Sequence, residues 1–144
     1  MDAKNREYCP FCKMARHELP VVVIQENKDL LAIMDLYPAT HGHVLVLPKK
    51  HIENIYNMPS DLGAHLMVMA ISIANAIKQK LSPDGMNLIQ SNELAARQTV
   101  LHFHLHIVPR YRGDQVNLKF GHGGVPANIE GLEHTAFLIR SGLI

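Results

Sequence analysis

Three histidines occupy every second position in one apolar segment of the chain, at His102, His104 and His106. Side chains alternate between the two faces of a strand, so these three imidazoles would share one face. The apolar residues that alternate with them would face a core. The pattern therefore predicts a strand with one apolar side and one imidazole side.

The chemistry available to such a row is that of imidazole. An imidazole can attack phosphorus or an acyl carbon, transfer protons, and donate hydrogen bonds to developing negative charge. Its reference pKa of about 6.5 keeps a neutral nucleophile available at neutral pH. His104 lies between two other histidines, so we expect it to be the nucleophile, with its neighbours holding a phosphate. A solvated or hydrogen-bonded polar face is the alternative.

A single metal ion bound by all three histidines is disfavoured by strand geometry. Successive residues on one face lie about 6.5 Å apart, which places the outer two histidines about 13 Å apart along the strand. Two neighbouring histidines could still reach one ion. A metal-dependent hydrolase that uses an H-x-H pair as ligands therefore stays open as a further interpretation.

The only two cysteines, Cys9 and Cys12, form one C-x-x-C. In a reducing compartment this spacing suggests metal binding or redox chemistry more than a structural disulfide. Two thiols alone are a weak zinc signal, because a structural zinc ion takes four ligands. The alternatives are two reduced cysteines that pack the start of the chain, or a thioredoxin-like role, which lacks its βαβ context here.

The elements that would position these residues form one α+β domain over residues 1–144, with a largely antiparallel five-stranded sheet. If the strands over 30–35 and 43–48 pair antiparallel, Asp35 and His43 lie at the same end of the sheet. The strands that we expect are 21–26, 30–35, 43–48, 86–90 and 100–109.

The clearest helix covers 60–81, where apolar residues recur at helical spacing, with Ser60 as the expected N-cap. Its wide apolar face could cover the sheet and leave surface for a second subunit. A helix enclosed by its own domain is the alternative. A short helix is expected near 127–141, within a less regular tail over 113–144.

Composition excludes several classes of protein. The 144 residues include 14 Lys+Arg and 13 Asp+Glu, for a net charge of +1. This balance lacks the basic excess of a dedicated nucleic-acid binder. No uninterrupted apolar run approaches the length of a membrane span, and the polar start lacks a signal-peptide pattern. We expect a cytoplasmic protein whose partner is a small molecule.

The order of motifs resembles the histidine triad (HIT) family, whose signature is H-x-H-x-H followed by two apolar residues. Here it reads HFHLHIV, and the supporting blocks CPFCK, LLAIMDLYPATHGHVLVLPKKH and NLIQSNELAARQTV precede it in order. The resemblance covers residues 8–112 and leaves the tail from 113 onward unmatched. It implies a five-stranded antiparallel sheet that usually forms a homodimer through the long helix and an edge strand.

The resemblance implies a nucleotide-binding hydrolase or transferase that cleaves at the α-phosphate of nucleoside phosphoramidates, dinucleoside polyphosphates or nucleotidyl adducts. His104 would form a nucleotidyl-histidine, and water would then release a nucleoside monophosphate. His106 would contact the phosphate, and His43 would support the phosphate or the leaving group. Gln98 would hydrogen-bond near the bridging oxygen.

The resemblance also implies a set of nucleotide contacts. Asp35 would accept hydrogen bonds from the ribose hydroxyls, and Thr99 would lie near the phosphate. Phe11, Ile33 and Leu36 would line the base pocket. A turn residue is the alternative for Asp35, and ordinary core is the alternative for the three apolar residues, which composition alone favours.

The loop before Gln98 departs from the family pattern of Asn, Gly and Gly, with Ser91, Glu93 and Arg97 at those places. Asn92 lies beside the first of them and could substitute as a nucleotide contact. Glycine would allow the backbone to approach the phosphates closely. Arg97 either clamps a polyphosphate or points away as a surface residue. This loop motivates a second function, a nucleotide-binding regulatory module with little turnover.

In the zinc-containing branch of the family, the ligands correspond to Cys9, Cys12, His51 and His102 here. The resemblance therefore implies a closed Cys₂His₂ zinc site. Such a site would attach the N-terminal segment to the histidine segment and would hold His102 as a ligand rather than a reactant.

Overall fold

The computed structural model describes residues 3–119 and 125–143, with side chains described from Arg6 onward. The strands are β1 (Val23–Glu26), β2 (Leu30–Met34), β3 (Val44–Pro48), β4 (Gly85–Gln90) and β5 (Leu105–Arg110). The α-helices are α1 (Ala3–Tyr8), α2 (Pro10–Ala15), α3 (Ser60–Leu81) and α4 (Ile129–Ser141). The strands form one antiparallel sheet in the order β1-β2-β3-β5-β4. This confirms the α+β class and the five-stranded sheet.

The first hairpin forms where a turn signal separates two β-branched and apolar runs. The Oδ1 atom of Asn27 accepts hydrogen bonds from the backbone N–H groups of Asp29 and Leu30, which closes the turn. β2 then pairs with β3, and the backbone N–H of Asp35 donates to the carbonyl of His43 at 3.0 Å. The prediction that these two residues lie at the same end of the sheet is confirmed.

The central strands are apolar on both faces because helices cover both faces of the sheet. Alternate residues of β3 separate accordingly: Val44 and Val46 pack toward α3, and Leu45 and Leu47 pack toward the cysteine-containing segment. Phe103, Leu105 and Ile107 also belong to the α3 side. The prediction that these three residues enter the core opposite the histidines is therefore confirmed.

Helix α3 has the predicted bounds, and its buried stripe packs on the sheet. Its N-cap is Pro59 rather than Ser60, so the prediction of Ser60 as the cap was wrong. The carbonyl of Pro59 accepts from the N–H of Gly63, which makes Ser60 the first helical residue. By length and composition alone α3 could cross a membrane. The buried residues of its stripe are Leu66, Met69, Ala70, Ile73 and Ile77.

The histidine strand begins later than predicted, at Leu105 rather than at residue 100. The segment before it has other partners, because the N–H of Phe103 donates to the carbonyl of Ile52 and the β4–β5 ladder stops at Gln90 and Leu105. His102 therefore lies outside the sheet. The alternation of sides nevertheless extends through this irregular segment.

Three further helices complete the described structure, and Phe11 and Cys12 of α2 pack on the face of the sheet opposite α3. The short helices α1 and α2 at the N-terminus were not predicted. The predicted tail helix is confirmed as α4, which has no buried residue. Residues 120–124 of the predicted tail lie outside the described residues.

Candidate functional site

A cavity of about 330 Å³ lies where α2, the ends of β2 and β3, and the histidine segment meet. This volume falls within the usual range for a small-molecule site. Its walls are mostly apolar, with a few polar side chains among them. The predicted site residues that line it are Phe11, Ile33, Asp35, Leu36, Thr99, His104 and His106.

His104 is buried at the wall of this cavity, and its ring is fixed from two sides. Its Nδ1 atom lies 2.8 Å from the carbonyl oxygen of His102, so we assign the proton to Nδ1, which donates this bond. Phe11 packs an edge against the ring, with centroids 4.9 Å apart. Burial lowers the pKa of His104. The neutral ring therefore keeps the lone pair of Nε2 available as a nucleophile.

His43 and His106 form a hydrogen-bonded pair beside His104. The N–H of Ala39 donates to Nδ1 of His43 at 2.9 Å, and Nε2 of His43 lies 2.9 Å from Nδ1 of His106. The first bond requires the His43 proton to be on Nε2, which then donates to His106. We therefore assign the His106 proton to Nε2. Within residues 3–119 and 125–143, no protein acceptor contacts that donor.

Burial keeps this pair neutral as well. It is the main cause of the lowered pKa of His106, which falls to about 4, and the neighbouring imidazoles of His104 and His43 add to it. Burial also lowers the pKa of His43, against the opposing charge of Asp35. The pair therefore offers a hydrogen bond from a neutral imidazole to a ligand in the cavity.

Asp35 takes part in both the turn and the site. Its Oδ1 atom accepts from the N–H of Tyr37 at 2.8 Å, which is the turn role considered above. Its Oδ2 atom lies 3.4 Å from Nε2 of His43. The carboxylate lines the cavity at the same time. The two interpretations of this residue are thus compatible in one geometry.

A second cluster contains Cys9, Cys12, His51 and His102, all buried, with their ligand atoms within 4.8 Å of one another. Cys9 Sγ lies 3.4 Å from His102 Nδ1, and Cys12 Sγ lies 3.2 Å from His51 Nδ1. Tetrahedral zinc bonds of about 2.3 Å to sulfur and about 2.0 Å to nitrogen place such atoms about 3.5 Å apart. The donor set therefore fits a closed zinc site.

Neighbouring groups position the ligand atoms of this cluster and set their protonation. Cys9 caps the N-terminus of α2, and this helical turn brings Cys12 back beside it. Nε2 of His102 lies 2.7 Å from the carbonyl of Pro48, so its proton donates there and Nδ1 keeps a lone pair for a metal. Burial raises the pKa of Cys12 to about 12, and Cys9 adds to it. A deprotonated Cys12 thiol here therefore requires a nearby cation.

Gln98 and Asn92 do not reach the cavity. Gln98 is buried, and its amide donates to the carbonyl of Glu53 at 2.6 Å, while its Oε1 accepts from the N–H of Glu93 at 2.8 Å. Asn92 accepts from the N–H of Ile55 at 2.8 Å. Both side chains brace the loop before the histidines.

Ser91 and Arg97 line a different cavity, of about 490 Å³, together with Lys119. Two positions of this loop have left-handed backbones, with φ of 70° at Glu93 and 65° at Arg97. These are the places where the resemblance leads one to expect glycine. The loop therefore has positive φ angles, which glycine adopts most readily, at two residues that are not glycine.

Sequence reasoning missed the backbone groups that fix the imidazoles. The N–H of Ala39 and the carbonyls of Pro48 and His102 set three of the four assigned proton positions. Main-chain groups leave no signature in residue types. Met14 and Tyr37 also line the first cavity, and only their proximity to Cys12 and Asp35 in the sequence could have suggested them.

Comparison with known proteins places this geometry in a family. The family model for the HIT domain matches residues 16–113. Protein hit of Bacillus subtilis is 39% identical over 109 residues, covering 75% of this chain and 75% of that protein. An adenylylsulfatase of Arabidopsis thaliana is 37% identical over 106 residues, covering 74% of this chain and 54% of that protein.

Solved structures agree with the sequence matches. A HIT family protein from Bacillus anthracis has a TM-score of 0.89 at 33% identity, covering 96% of this chain and 99% of that chain. A Zn-bound histidine triad family protein from Mycobacterium smegmatis has a TM-score of 0.73 at 32% identity, covering 96% of this chain and 99% of that chain. The chain therefore belongs to the HIT domain family, a family of nucleotide-binding hydrolases and transferases.

Proposed function

We propose that this protein cleaves nucleotidyl substrates at the α-phosphate through a covalent nucleotidyl intermediate on His104. The observation that carries the proposal is the neutral Nε2 of His104 at the wall of a cavity of nucleoside size, beside the donor group of His106. A nucleophile next to a hydrogen-bond donor for phosphate oxygens is the arrangement that phosphoryl transfer needs.

The proposed reaction has two steps. Nε2 of His104 bonds to the α-phosphorus, and the leaving group departs with the electron pair of the bond that breaks. A phosphate or sulfate departs as an oxyanion, whereas an amine takes up a proton from solvent as it departs. Water then adds its oxygen to phosphorus, the P–N electron pair returns to Nε2, and the proton of water passes to solvent. The Nε2–H of His106 donates to a phosphate oxygen in both steps, and His43 holds that donor in place.

The apolar cavity would hold the nucleoside. Phe11, Ile33 and Leu36 would contact the base, and Asp35 would accept from the ribose hydroxyls, because a carboxylate offers two acceptors to adjacent donors. Thr99, at the cavity wall, would lie near the phosphate. The substrate classes are nucleoside phosphoramidates, dinucleoside polyphosphates and adenylyl sulfate, the last because a relative is named an adenylylsulfatase.

Cys9, Cys12, His51 and His102 would hold one zinc ion. With four protein ligands, the ion would supply structure rather than Lewis acidity, since no coordination position stays open. The Zn-bound relative from Mycobacterium smegmatis supports this proposal. Reduced thiols of this kind suit the cytoplasm.

A homodimer is part of the same proposal. Val68 and Ile71 are exposed on the outer face of α3, and Leu88 is exposed on β4. Leu88 pairs with Ile107, which places it on the α3 side of the sheet. β4 is an edge strand, and an unpaired edge beside apolar side chains suits a second copy of the chain.

The test is a single-turnover incubation with adenosine phosphoramidate and, separately, with diadenosine tetraphosphate. We expect intact-mass analysis to detect an adenylyl adduct that maps to His104, together with adenosine monophosphate as the product. The His104→Ala variant should give neither. His65→Ala, which replaces an exposed histidine on α3, is the matched control and should behave as the wild type.

The second candidate function is a regulatory module that binds nucleotides with little turnover. The observation that favours it is the position of Gln98, which braces the loop instead of facing the first cavity. Tight nucleotide binding without adduct or monophosphate would support this alternative. Activity that a chelator abolishes but His104→Gly retains would instead indicate a metal-dependent hydrolase.

A further inference from the structure

The second cavity lies directly beside His106, on the side of that residue opposite the first cavity. The sheet register shows this, because Leu45 and Ile89 are the two cross-strand partners of His106. Directly paired residues of an antiparallel sheet project to the same face. Leu45 lines the first cavity, and Ile89 lines the second. The two cavities therefore flank one histidine on one face of the sheet.

The chemical character of the two cavities differs. The first is mostly apolar, whereas the second, of about 490 Å³, contains the cations Arg97 and Lys119 with the hydroxyl of Ser91 and the amide of Asn117. None of its described lining residues is acidic. Among the residues that the structure describes, neither cation has an ion-pair partner within 4 Å.

The proposed function predicts which part of a substrate each of the two cavities would hold. A substrate with its nucleoside in the first cavity and its α-phosphate at His104 and His106 would extend its leaving group away from the nucleoside. The register places the cationic cavity on that side. Guanidinium and ammonium groups together with a hydroxyl are the usual partners of phosphate and sulfate oxygens.

We propose that the second cavity binds the leaving group, and that Arg97 and Lys119 select an anionic one, a phosphate chain or a sulfate, over a neutral amine. The inference rests on the proposed function and deepens it. In the first step, the bond between the α-phosphorus and the bridging oxygen breaks. The leaving group then departs as an oxyanion with the electron pair, beside two cations and without taking a proton.

The test compares leaving groups in charge variants of the whole protein. For Arg97→Gln and for Lys119→Gln, we expect kcat/KM with diadenosine tetraphosphate to fall about tenfold, the size of one lost charge-assisted contact. Activity with adenosine phosphoramidate should stay within about twofold. Arg97→Lys should keep most of the wild-type value, because the charge remains.

The matched control is Arg112→Gln. Arg112 is 94% exposed and follows the end of β5 that pairs with Gly85, at the opposite end of β4 from Ser91. This variant should leave all substrates unaffected. Adenylyl sulfate distinguishes the sources of the anion: a fall for the tetraphosphate alone indicates a phosphate chain, and a fall for both indicates any oxyanion. An equal fall for the phosphoramidate, or no fall for either anion, would overturn the proposal.

A binding measurement separates this inference from the proposed function. Inorganic tripolyphosphate should bind the wild-type protein, and its Kd should rise about tenfold in Arg97→Gln. This readout needs no turnover. If the wild type formed no adduct with any substrate but tripolyphosphate still responded to Arg97, the catalytic proposal would fail and the anion site would stand. An unchanged Kd in the variant would remove the anion site.

Discussion

The carbonyl oxygen of His102 accepts the Nδ1 proton of His104 at 2.8 Å. One residue therefore serves both centres, because the ring of His102 belongs to the Cys–His cluster while its backbone orients the proposed nucleophile. A displacement of His102 would therefore change the orientation of the His104 ring through this hydrogen bond. This structural relationship predicts that the Cys–His cluster and the proposed nucleophile respond to the same mutations.

The first prediction concerns metal content. The wild type should carry about one zinc ion per chain, and Cys12→Ser should lose it, because a closed site needs all four ligands. Unfolding should shift to lower temperature, since metal binding contributes folding free energy. Adduct formation at His104 should slow because His102 is no longer held. Elemental analysis, thermal unfolding and single-turnover kinetics measure the three effects.

The control for this prediction is wild-type protein from which zinc has been stripped by a chelator. It should match Cys12→Ser in thermal stability and in the rate of adduct formation. Restoring zinc should rescue the stripped wild type but not the variant. A variant that kept full zinc content, or lost zinc without any change in stability, would contradict the assignment.

The second prediction concerns the backbone at Glu93. With φ of 70° and ψ of 165°, this residue lies in a region that glycine adopts almost alone. Glu93→Gly should therefore stabilise the protein by about 1 kcal/mol, measured by chemical denaturation. Glu93→Ala removes the carboxylate but keeps Cβ, so it should give no such gain. Equal stabilisation by both variants would assign the effect to charge instead.

The third prediction concerns pH. Burial holds the pKa of His106 at about 4 in the folded protein against an ordinary value of 6.5. Between these values the unfolded chain binds a proton that the folded chain does not, so stability falls as pH falls through this window. After allowance for solvent screening at this partly exposed ring, the loss attributable to His106 is on the order of 2 kcal/mol.

The measurement compares unfolding free energies at pH 7 and pH 5 for the wild type and His106→Gln. The variant should lose less stability on acidification, because it lacks the group that must be deprotonated. Acid effects on the Cys–His cluster occur in both proteins and cancel in the difference. His65→Gln, an exposed position on α3, serves as the control, and a parallel response of wild type and His106→Gln would count against the prediction.

The fourth prediction concerns Gln98. Its removal in Gln98→Ala leaves the N–H of Glu93 and the carbonyl of Glu53 without their partner. Loss of about 2 kcal/mol in unfolding free energy is expected for such buried groups. Gln115→Ala, which removes an exposed amide with one long contact of 3.4 Å, should change stability little.

The rate of adduct formation decides between the two roles considered for Gln98. A bracing role predicts that the folded Gln98→Ala protein forms the adduct within about tenfold of the wild-type rate. A large loss of rate with unchanged stability would instead indicate contact with the bridging oxygen.

The alternation of histidines predicted which residues face the site and which face the core. It did not predict where the strand begins. Phe103 and Ile107 enter the core as period-two spacing requires. Only the second half of that segment is a strand, because β4 ends at Gln90 and Phe103 bonds to Ile52 instead. Strand ends depend on where partner strands stop, which a local pattern does not contain.

For the site, too, some contacts could be predicted from the sequence, whereas others depend on groups that meet only in the folded chain. The resemblance to the HIT family implied that Cys9, Cys12, His51 and His102 would come together, and they do. Spacing could not predict that Gln98 turns into the loop, because its partners are main-chain groups that lie beside it only after folding.

The last prediction concerns the proposed dimer. Val68 is 65% exposed on the outer face of α3, although the helix buries a separate stripe against the sheet. In a dimer formed through α3 and β4, a charge at this position would be buried without a partner. Val68→Glu should therefore convert the protein to a monomer in light scattering, whereas Lys28→Glu, at an exposed hairpin position, should leave the dimer intact. A wild-type monomer at micromolar concentration would contradict the dimer, and a dimer that tolerates Val68→Glu would require a different surface for self-association.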